Sequence, residues 1–459
     1  MDIVVNHEDL SRVIKIAIDS GEVSTVEEAE DLFAGYRLAI SVGPEIENSP
    51  TLQAALLTAV NTARRCFLGG VFVSGNVDVD LLVPWRRYRT LQDAVVDLDG
   101  QLDPGLYLES IPLIGLGSLS APACGTFAVQ ATFNGWCAGV VPFGAQRLPE
   151  SQECTPAGVV AGALAVSEAF QHVRGDNVMA GRRAVGMSLW DPSPNTSWWE
   201  CDGGPVLEVL PSRLWLIGLG HLGQAYLWTL GLLPYARPED VILMLQDTDI
   251  LSKANDSTSP LTFKENIGEK KTRAMARWCE ERGFNTAITE RRFDASLRIR
   301  LDEPRVGVCG VDNAEARAVL EQVDFARVIE AGLGHGSEGY RCLQIHAFPA
   351  SRGAAARWSG TNTTGKSGRD ASMQPAYRQL ANDGLDACGI TLLAGRTVGA
   401  SFVGTVTAAL VVAQLVKLAM GLDPVEVIDM DLRNPQMRIV VERSSPLAPF
   451  NPGYTRGAP

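Results

Sequence analysis

The chain has 459 residues, of which 46% are hydrophobic and 20% are charged, and its formal net charge is -13. This length and composition are typical of a globular protein with two or more domains. The negative charge argues against a nucleic-acid binder, since such proteins normally carry a basic face. No apolar run reaches the length of a membrane span and the first residues lack a signal-peptide pattern, so we predict a cytoplasmic protein without membrane attachment.

The cysteines exclude two further classes of structure. There are nine of them, an odd number, and no Cys-x-x-Cys pair occurs. Their number and their spread through apolar stretches argue against a disulfide framework, and the missing pairs argue against a four-cysteine zinc site. We therefore expect no zinc.

The order of predicted elements repeats along the chain. From Tyr36 the pattern is strand, turn, helix, strand, a further strand, an antiparallel pair and a small-residue helix that begins at Thr155. From Leu214 the same order returns and ends with a second small-residue helix that begins at Ser401. We therefore predict an α/β fold of two Rossmann-like units, each built on a mainly parallel sheet with crossover helices.

This repeat divides the chain into five segments. The first segment is predicted to form two short helices with a packing role, and the last is rich in Pro and Gly and is predicted to be loose. The segment between the units is predicted to be an irregular linker. The predicted bounds are 1–35 for the N-terminal helical segment, 36–174 for the first unit, 175–210 for the linker, 211–445 for the second unit and 446–459 for the tail.

A glycine turn opens the second unit. An apolar run precedes Gly218, Gly220 and Gly223, a helical pattern follows, and a second apolar run ends at Asp247. Glycine lets the backbone approach a phosphate closely, and the start of the following helix directs N–H groups and a positive dipole end at an anion. Asp247 is positioned to accept hydrogen bonds from ribose hydroxyls. The turn predicts a nucleotide site without saying which nucleotide binds.

The residues after Asp247 narrow the choice. Asp249, Asn255 and Lys271 follow at spacings that resemble the ThiF/MoeB and ubiquitin-activating-enzyme superfamily, whose motif is Asp-x-Asp, Asn, Arg and then Gly-x-x-Lys. The resemblance implies that these side chains bind ATP, with Lys271 at the phosphates. The family's arginine falls on Thr258, so this chain departs from the motif there.

Another cation must then meet the phosphates if the chemistry of the family is intact. The candidates are Lys253, Lys264 and an arginine supplied by the first unit, and the sequence does not choose among them.

A second motif of the same family follows. An apolar run from Val306 ends in Asp312 and Asn313, with Arg317 beyond, and it resembles the family's strand ending in Asp-Asn with an arginine after it. The resemblance implies that Asp312 helps to hold the magnesium of MgATP and that Asn313 lies at the nucleotide. A carboxylate suits this role because Mg²⁺ prefers hard oxygen ligands and takes few of them from protein. The expected cofactors are ATP and Mg²⁺.

The first unit is degenerate at the corresponding turn. It has Gly43-Pro44-Glu45 where the second unit has its glycines, so a proline and a carboxylate replace groups that face a phosphate. We expect no ATP there. An inactive half beside an active half resembles the paired adenylation domains of eukaryotic ubiquitin-activating enzymes, here fused in one chain.

A long polar segment leads to a candidate nucleophile. Residues 350–388 occupy the place of the family's crossover loop and end at Cys388, just before an apolar helix. A thiol that attacks an acyl-adenylate needs a flexible approach, and the start of a helix favours the thiolate. The alternative interpretation of Cys388 is a small buried cysteine.

Taken together, the resemblance implies a bacterial ubiquitin-activating-like enzyme. It would use MgATP to adenylate the C-terminal tail of a ubiquitin-like protein, transfer the acyl group to Cys388 as a thioester, and pass it to a conjugating-enzyme-like protein. By analogy, the fused inactive half favours bacterial ubiquitin-like conjugation operons, some of them linked to antiviral defence. A homodimer is left open.

Three other functions remain open at this point. A sulfur-carrier adenylyltransferase of the ThiF/MoeB type would share the first step without the thioester. An NAD-dependent oxidoreductase would use the same glycine turn, but Asn255 and Lys271 have no role in dinucleotide binding. A scaffold that has lost activity is compatible with Thr258.

Overall fold

The computed structural model describes residues 10–85, 88–103, 111–120, 127–200, 202–359, 372–382, 387–395 and 397–458. These residues form two α/β units, each with a mainly parallel sheet, as predicted. The helices on the sheets are amphipathic or apolar, so they bury one or more faces against the strands.

The sheet of the first unit has seven strands. They are β1 (Leu38–Val42), β2 (Val71–Ser74), β3 (Gln101–Leu102), β4 (Leu113–Leu116), β5 (Ala128–Asn134), β6 (Cys137–Pro142) and β7 (Val185–Ser188). The strand order is β3-β2-β1-β4-β5-β6-β7. The first five of these strands are parallel, and β6 and β7 join antiparallel.

The sheet of the second unit repeats this plan. Its strands are β9 (Arg213–Ile217), β10 (Ile242–Gln246), β11 (Asn285–Thr289), β12 (Val306–Cys309), β13 (Arg327–Leu333), β14 (Cys342–Phe348), β15 (Val427–Asp431) and β16 (Ile439–Val441). The order is β11-β10-β9-β12-β13-β14-β15-β16, parallel as far as β13 and antiparallel beyond it. Apart from the extra strand β16, both sheets have one topology, which supports the predicted duplication.

Helices connect and cover the strands. In the N-terminal segment and the first unit they are Lys15–Ser20, Val26–Ala34, Pro50–Ala63, Leu91–Asp97 and Thr155–Arg174. In the second unit they are His221–Gly231, Lys253–Asp256, Lys271–Glu280, Ala314–Ala318, Gly336–Gly339, Ala354–Trp358, Pro375–Asn382, Ala387–Gly395 and Ser401–Ala419. Short 3₁₀ helices are Pro44–Glu47, Pro238–Asp240, Lys264–Asn266, Leu320–Gln322 and Pro435–Met437.

The two small-residue helices pack against each other between the units. The rings of Phe170 and Phe402 lie 5.6 Å apart across this contact, and Trp228 donates a hydrogen bond from its indole to the Thr58 hydroxyl at 3.0 Å. Within the first unit, glycine also lets the helix Thr155–Arg174 approach the helix Pro50–Ala63 closely, since a Cβ on Gly162 would lie 2.3 Å from the Ala55 carbonyl oxygen. The units therefore share one apolar core.

Among the described residues, the helix Ser401–Ala419 is the one long and apolar enough to cross a membrane, with a mean hydropathy of 1.8. The expectation that no apolar run reaches that length is wrong. Because 94% of an 18-residue stretch of this helix is buried inside the protein, its apolar character is that of a core helix.

The connecting segments are more ordered than predicted. Residues 185–188 of the expected linker form β7, because they pair with β6 and complete the first sheet. The tail contributes β17 (Tyr454–Arg456), which pairs with β8 (Val209–Pro211), so the expectation of a loose tail is wrong. Cys137 is disulfide-bonded, which corrects the prediction against disulfides at that one position.

Candidate active site

A cleft of about 520 Å³ lies in the second unit, where β9, β10 and β12 end. The carboxyl ends of parallel strands at a reversal of strand order are a common place for ligands in this type of sheet. The predicted site residues that line the cleft are Gly218, Gly220, Asp247, Asp249, Asn255, Lys271, Asp312 and Asn313. Of the predicted nucleotide residues, Gly223 alone is outside this lining.

The three glycines have three different roles. Gly218 has φ of +85°, a conformation that favours glycine. At Gly220 a Cβ would meet nothing within 4 Å, so the backbone there faces open space in the cleft. At Gly223 a Cβ would lie 2.0 Å from the Gly218 carbonyl oxygen, so this glycine allows the helix to pack against the turn. The turn therefore leaves room for a phosphate at Gly220.

The helix that follows begins with open N–H groups. The helix His221–Gly231 has Gly220 as its N-cap residue, and no side chain caps it. Its first amides and the positive end of its dipole thus point toward the cleft, an arrangement suited to an anion.

Two aspartates and a lysine form a connected group beside the turn. The Asp247 carboxylate accepts hydrogen bonds from the amides of Leu219 at 2.7 Å and Asp249 at 2.9 Å, so it fixes the glycine turn. Lys271 donates to Asp249 at 2.9 Å, and its Nζ lies 3.9 Å from Asp247. Although burial acts in the opposite direction, the Lys271 hydrogen bond lowers the pKa of Asp249. Lys271 opens the helix Lys271–Glu280.

The two asparagines also have local structural roles. The Asn255 side-chain oxygen accepts from the backbone and hydroxyl of Ser252, at 2.9 and 3.1 Å, and so closes a capping box. The Asn313 oxygen caps the helix Ala314–Ala318 by accepting from the amide of Glu315 at 2.8 Å. Each amide group lines the cleft while its oxygen supports the backbone around it.

The Asp312 side chain is exposed, and it lies just before the short helix Ala314–Ala318. Behind it, Arg317 donates to the Val311 carbonyl at 2.8 Å and contacts the buried Glu330 carboxylate at 3.0 Å. Glu330 in turn contacts His346 Nδ1 at 2.9 Å. Within the described part of the chain the Asp312 carboxylate has no hydrogen-bond or ion-pair partner, and it stands on a supported loop. No group of three or more metal-binding side chains occurs among the described residues, and one carboxylate is enough for a magnesium held mainly by phosphates.

The candidates for the cation that the motif lacks at Thr258 can be compared with the residues that line the cleft. Arg12 lines it, whereas Lys253, Lys264 and the arginines 64 and 65 of the first unit do not. The Arg12 amide donates to the Ser257 hydroxyl at 3.0 Å, next to Thr258, and a guanidinium nitrogen lies 3.5 Å from the Thr397 hydroxyl. The N-terminal segment, expected only to pack, thus brings a cation to the site.

Other residues of the cleft were also missed from the sequence. They are Arg291 and Arg292 after β11 and His335 after β13. They lie on loops that follow neighbouring strands, so only the strand order brings them together. The one local signal was their position after apolar runs.

His221 lies inside the glycine turn, and its Nε2 atom is buried against the Ser401–Ala419 helix. Its Nε2 would lie 2.3 Å from a Cβ on Gly404, so the helix approaches the ring at that glycine. Burial, with a contribution from Arg12, lowers the pKa of His221 to about 3. The imidazole is therefore neutral and adds no charge to the cleft.

The first unit fills the matching space with its own carboxylates. Glu45 accepts from the Ser118 amide at 3.0 Å, and its oxygen would lie 2.7 Å from a Cβ on Gly117. Its helix Pro50–Ala63 starts later and is capped by Ser49 and by Glu153, which accepts from the Thr51 amide at 2.9 Å. Because the anion positions are occupied by protein, the geometry agrees with the expectation that this unit binds no ATP.

Cys388 is the second residue of the helix Ala387–Gly395. Its side chain lies outside what the structure describes, as do residues 360–371 and 383–386 of the predicted crossover loop. The predicted nucleophile and its approach to the cleft therefore stay a prediction.

Comparison with known proteins identifies the family. The BilD N-terminal domain matches residues 37–189 and the BilD C-terminal domain matches residues 210–422. The bacterial E1-like protein BilD of Collimonas sp. (strain OK412) is 40% identical over 461 residues, which cover 100% of this chain and 98% of that protein.

Solved structures are more distant. E. coli MccB is 13% identical and covers 69% of this chain and 93% of its own, with a TM-score of 0.34. E. coli tRNA N6-threonylcarbamoyladenosine dehydratase, TcdA, is 12% identical and covers 46% of this chain and 86% of its own, with a TM-score of 0.27. These scores are too low to support a conclusion. The two domain matches and the full-length relative are sufficient, and the chain belongs to the BilD family of bacterial E1-like proteins.

Proposed function

We propose that this protein uses MgATP to adenylate the C-terminus of a ubiquitin-like protein and then takes the acyl group onto a cysteine as a thioester. The observation that carries the proposal is the convergence of the glycine turn, Asp247, Lys271 and Asp312 on one cleft at the ends of parallel strands. The glycine turn, Asp247 and Asp312 lie on three separate loops and Lys271 opens a helix, and each suits a different part of MgATP.

The residues fit a nucleotide triphosphate. The open backbone at Gly220 and the uncapped helix start leave space and N–H donors for a phosphate. Asp247 is held rigidly by two backbone amides, and its remaining lone pairs are available to ribose hydroxyls. Lys271, now paired with Asp249, brings a mobile positive charge to the same side of the cleft.

Asp312 is the residue that would hold magnesium, whose role when bound is to neutralise charge on the phosphates. Arg12 supplies the cation that the motif lacks at Thr258. A guanidinium suits this place because its planar fork matches phosphate oxygens. Both groups act by position and charge, which is how catalysts accelerate phosphoryl and adenylyl transfer.

In the first step a carboxylate oxygen of the carrier attacks the α-phosphorus, the bond to the β-phosphate oxygen breaks, and pyrophosphate leaves with the electron pair. Lys271 and Arg12 stabilise the negative charge that accumulates on the phosphates. In the second step the Cys388 thiolate attacks the acyl carbon, AMP leaves, and the thiol proton goes to solvent. The thioester then passes to a conjugating-enzyme-like protein.

The test uses intact mass under non-reducing conditions. The purified chain and its Cys388→Ala variant are incubated with MgATP and a panel of small proteins that end in glycine. An adduct of carrier size that dithiothreitol removes and Cys388→Ala prevents is the expected result. A carrier linked to AMP without any adduct would instead indicate a sulfur-carrier adenylyltransferase.

Two other results contradict the proposal. Preferential binding of NAD over MgATP would support an oxidoreductase, although Asn255 and Lys271 have no use in that reaction. An absence of MgATP binding would indicate a scaffold without activity.

A further inference from the structure

A loop of the second unit lies against the first unit. This segment, residues 252–262, is called here the nucleotide loop. It carries Asn255 into the cleft and provides Ser257, which holds the Arg12 backbone. The loop follows β10 and has one short helix, Lys253–Asp256, so its conformation depends on contacts from outside.

Arg65 of the first unit supplies the densest of these contacts. Its side chain is 0% exposed. One guanidinium nitrogen donates to the Asp256 carboxylate at 2.6 Å and to the Asp256 carbonyl. The other donates to the carbonyls of Pro260 and Thr262, both at 3.1 Å. A single side chain thus binds the beginning and the end of the loop.

Two neighbours on the same helix surface strengthen this contact. Arg64 donates to Asp256 at 2.8 Å and to the Thr262 carbonyl at 3.1 Å. Asn61 donates to the Pro260 carbonyl at 3.1 Å and accepts from Arg65 at 3.2 Å. The backbone carbonyls of Pro260 and Thr262 therefore accept their hydrogen bonds from side chains of the first unit.

The opposite side of the loop is attached to the glycine turn. Gln224 accepts from the Leu261 amide and the Thr262 hydroxyl, each at 3.0 Å, and donates to the Leu219 carbonyl at 3.0 Å. Leu219 also donates its amide to Asp247. A continuous series of hydrogen bonds therefore connects Arg65 with the glycine turn.

We propose that the first unit, which has lost its own nucleotide site, acts as a positioning element for MgATP bound by the second unit, and that Arg65 is the positioning residue. The inference rests on the proposed function. Because Arg65 binds several acceptors in a fixed planar geometry, a lysine would reach only part of them and the loop would lose its defined position. Asn255 and the Arg12 anchor would move with it.

The experiment is titration calorimetry with MgATP on the full-length Arg65→Lys variant, with thermal unfolding measured in parallel. The matched control is Asp176→Asn, which removes an ion pair of 2.7 Å between the start of the linker after the first unit and Arg341 of the second unit, away from the cleft. We expect Arg65→Lys to raise the Kd for MgATP about tenfold. Asp176→Asn should lower the unfolding midpoint comparably and leave the Kd within twofold of wild type.

Equal affinity of Arg65→Lys and wild type, or an equal loss in both variants, would overturn the inference and leave the proposed function standing. Wild-type protein that binds no MgATP would overturn both. If Arg65→Lys does not fold, Asn61→Ala replaces it, since it removes one hydrogen bond to the loop and leaves the Asp256 contact. Its expected result is a smaller rise in Kd, together with faster hydrogen exchange of amides 254–262 than in Asp176→Asn.

Discussion

The two units have one topology and opposite chemistry at the same turn. In the second unit the helix starts at the glycine turn and its first amides are open, because Gly220 has no side chain to cap them. In the first unit Glu45 and Glu153 occupy the corresponding turn and helix start. The difference teaches that an anion site in this fold is removed by supplying a protein carboxylate, while the sheet and the core remain intact.

The units also differ in what they contribute to the single cleft. The second unit provides the turn, the aspartates and Lys271, whereas the first unit provides the surface that holds the nucleotide loop. On the proposal above, the first unit contributes to nucleotide binding through this surface. It is best described as part of the active site's support.

The largest expected effect tests whether the chemistry belongs to the second unit alone. Lys271→Ala should lower the rate of carrier-dependent pyrophosphate release by about 10²- to 10³-fold, because it removes the positive charge that stabilises the negative charge developing on the phosphates. The control is Glu45→Gln in the first unit, which should leave that rate within about twofold. Comparable losses in both variants would mean that both turns take part in catalysis.

The next effect tests the source of the missing cation. Arg12→Ala should lower pyrophosphate release by about 10²-fold, and Arg12→Lys should restore part of that loss by keeping the charge without the fork. The matched control is Lys253→Ala, since Lys253 lies outside the cleft lining. If Lys253→Ala lowered pyrophosphate release while Arg12→Ala left it normal, a group other than Arg12 would contact the phosphates.

A third prediction separates binding from packing within the glycine turn. Gly220→Ala should unfold at the wild-type temperature but bind MgATP about tenfold more weakly, because its methyl group enters open space that a phosphate would use. Gly223→Ala should instead lower the free energy of unfolding by about 1–3 kcal/mol, because its methyl group meets the Gly218 carbonyl. Calorimetry and denaturant unfolding of both variants measure the two effects. Equal behaviour of the two variants would contradict the assignment.

Local sequence patterns predicted much of the fold and several loops of the candidate site. Gly218, Gly220, Asp247 and Asp312 each follow a strong apolar run, so the order of elements along the chain and the positions of these loops followed from short windows of sequence. The repeat of elements likewise predicted two similar sheets. Short strands such as β3 were missed because two exposed residues give no periodic signal.

Contacts made at long range were not predictable in this way. Arg12 reaches the cleft only because the N-terminal segment packs beside Thr397, which lies 385 positions along the chain. Arg65 lies in the turn just after a buried helix with no distinctive pattern, and its proposed function depends on carbonyls almost 200 residues away. Neither residue has a neighbour in sequence that indicates its partner, since tertiary packing alone creates both contacts.

The smallest effect concerns the charge of the glycine turn itself. His221 is buried with its pKa lowered to about 3, below the ordinary value of 6.5. Protonation therefore favours the unfolded chain, so the stability that His221 contributes is complete above pH 6.5 and is lost as the pH falls toward 3. For one proton the slope is about 1.4 kcal/mol per pH unit. His221→Gln should remove this component from the acid limb of a plot of unfolding free energy against pH.

The control for this measurement is His335→Gln, which removes an exposed histidine of the same cleft. The slope is compared rather than the absolute stability, because either substitution can change packing. A steeper acid limb in wild type than in His221→Gln means that the second unit keeps a neutral ring in its turn and leaves the phosphate charge to Arg12 and Lys271. An unchanged slope would mean that His221 titrates in the folded protein as it does in the unfolded chain, and only below about pH 6.5 would the turn carry a third positive charge beside a helix start that the first unit fills with carboxylates.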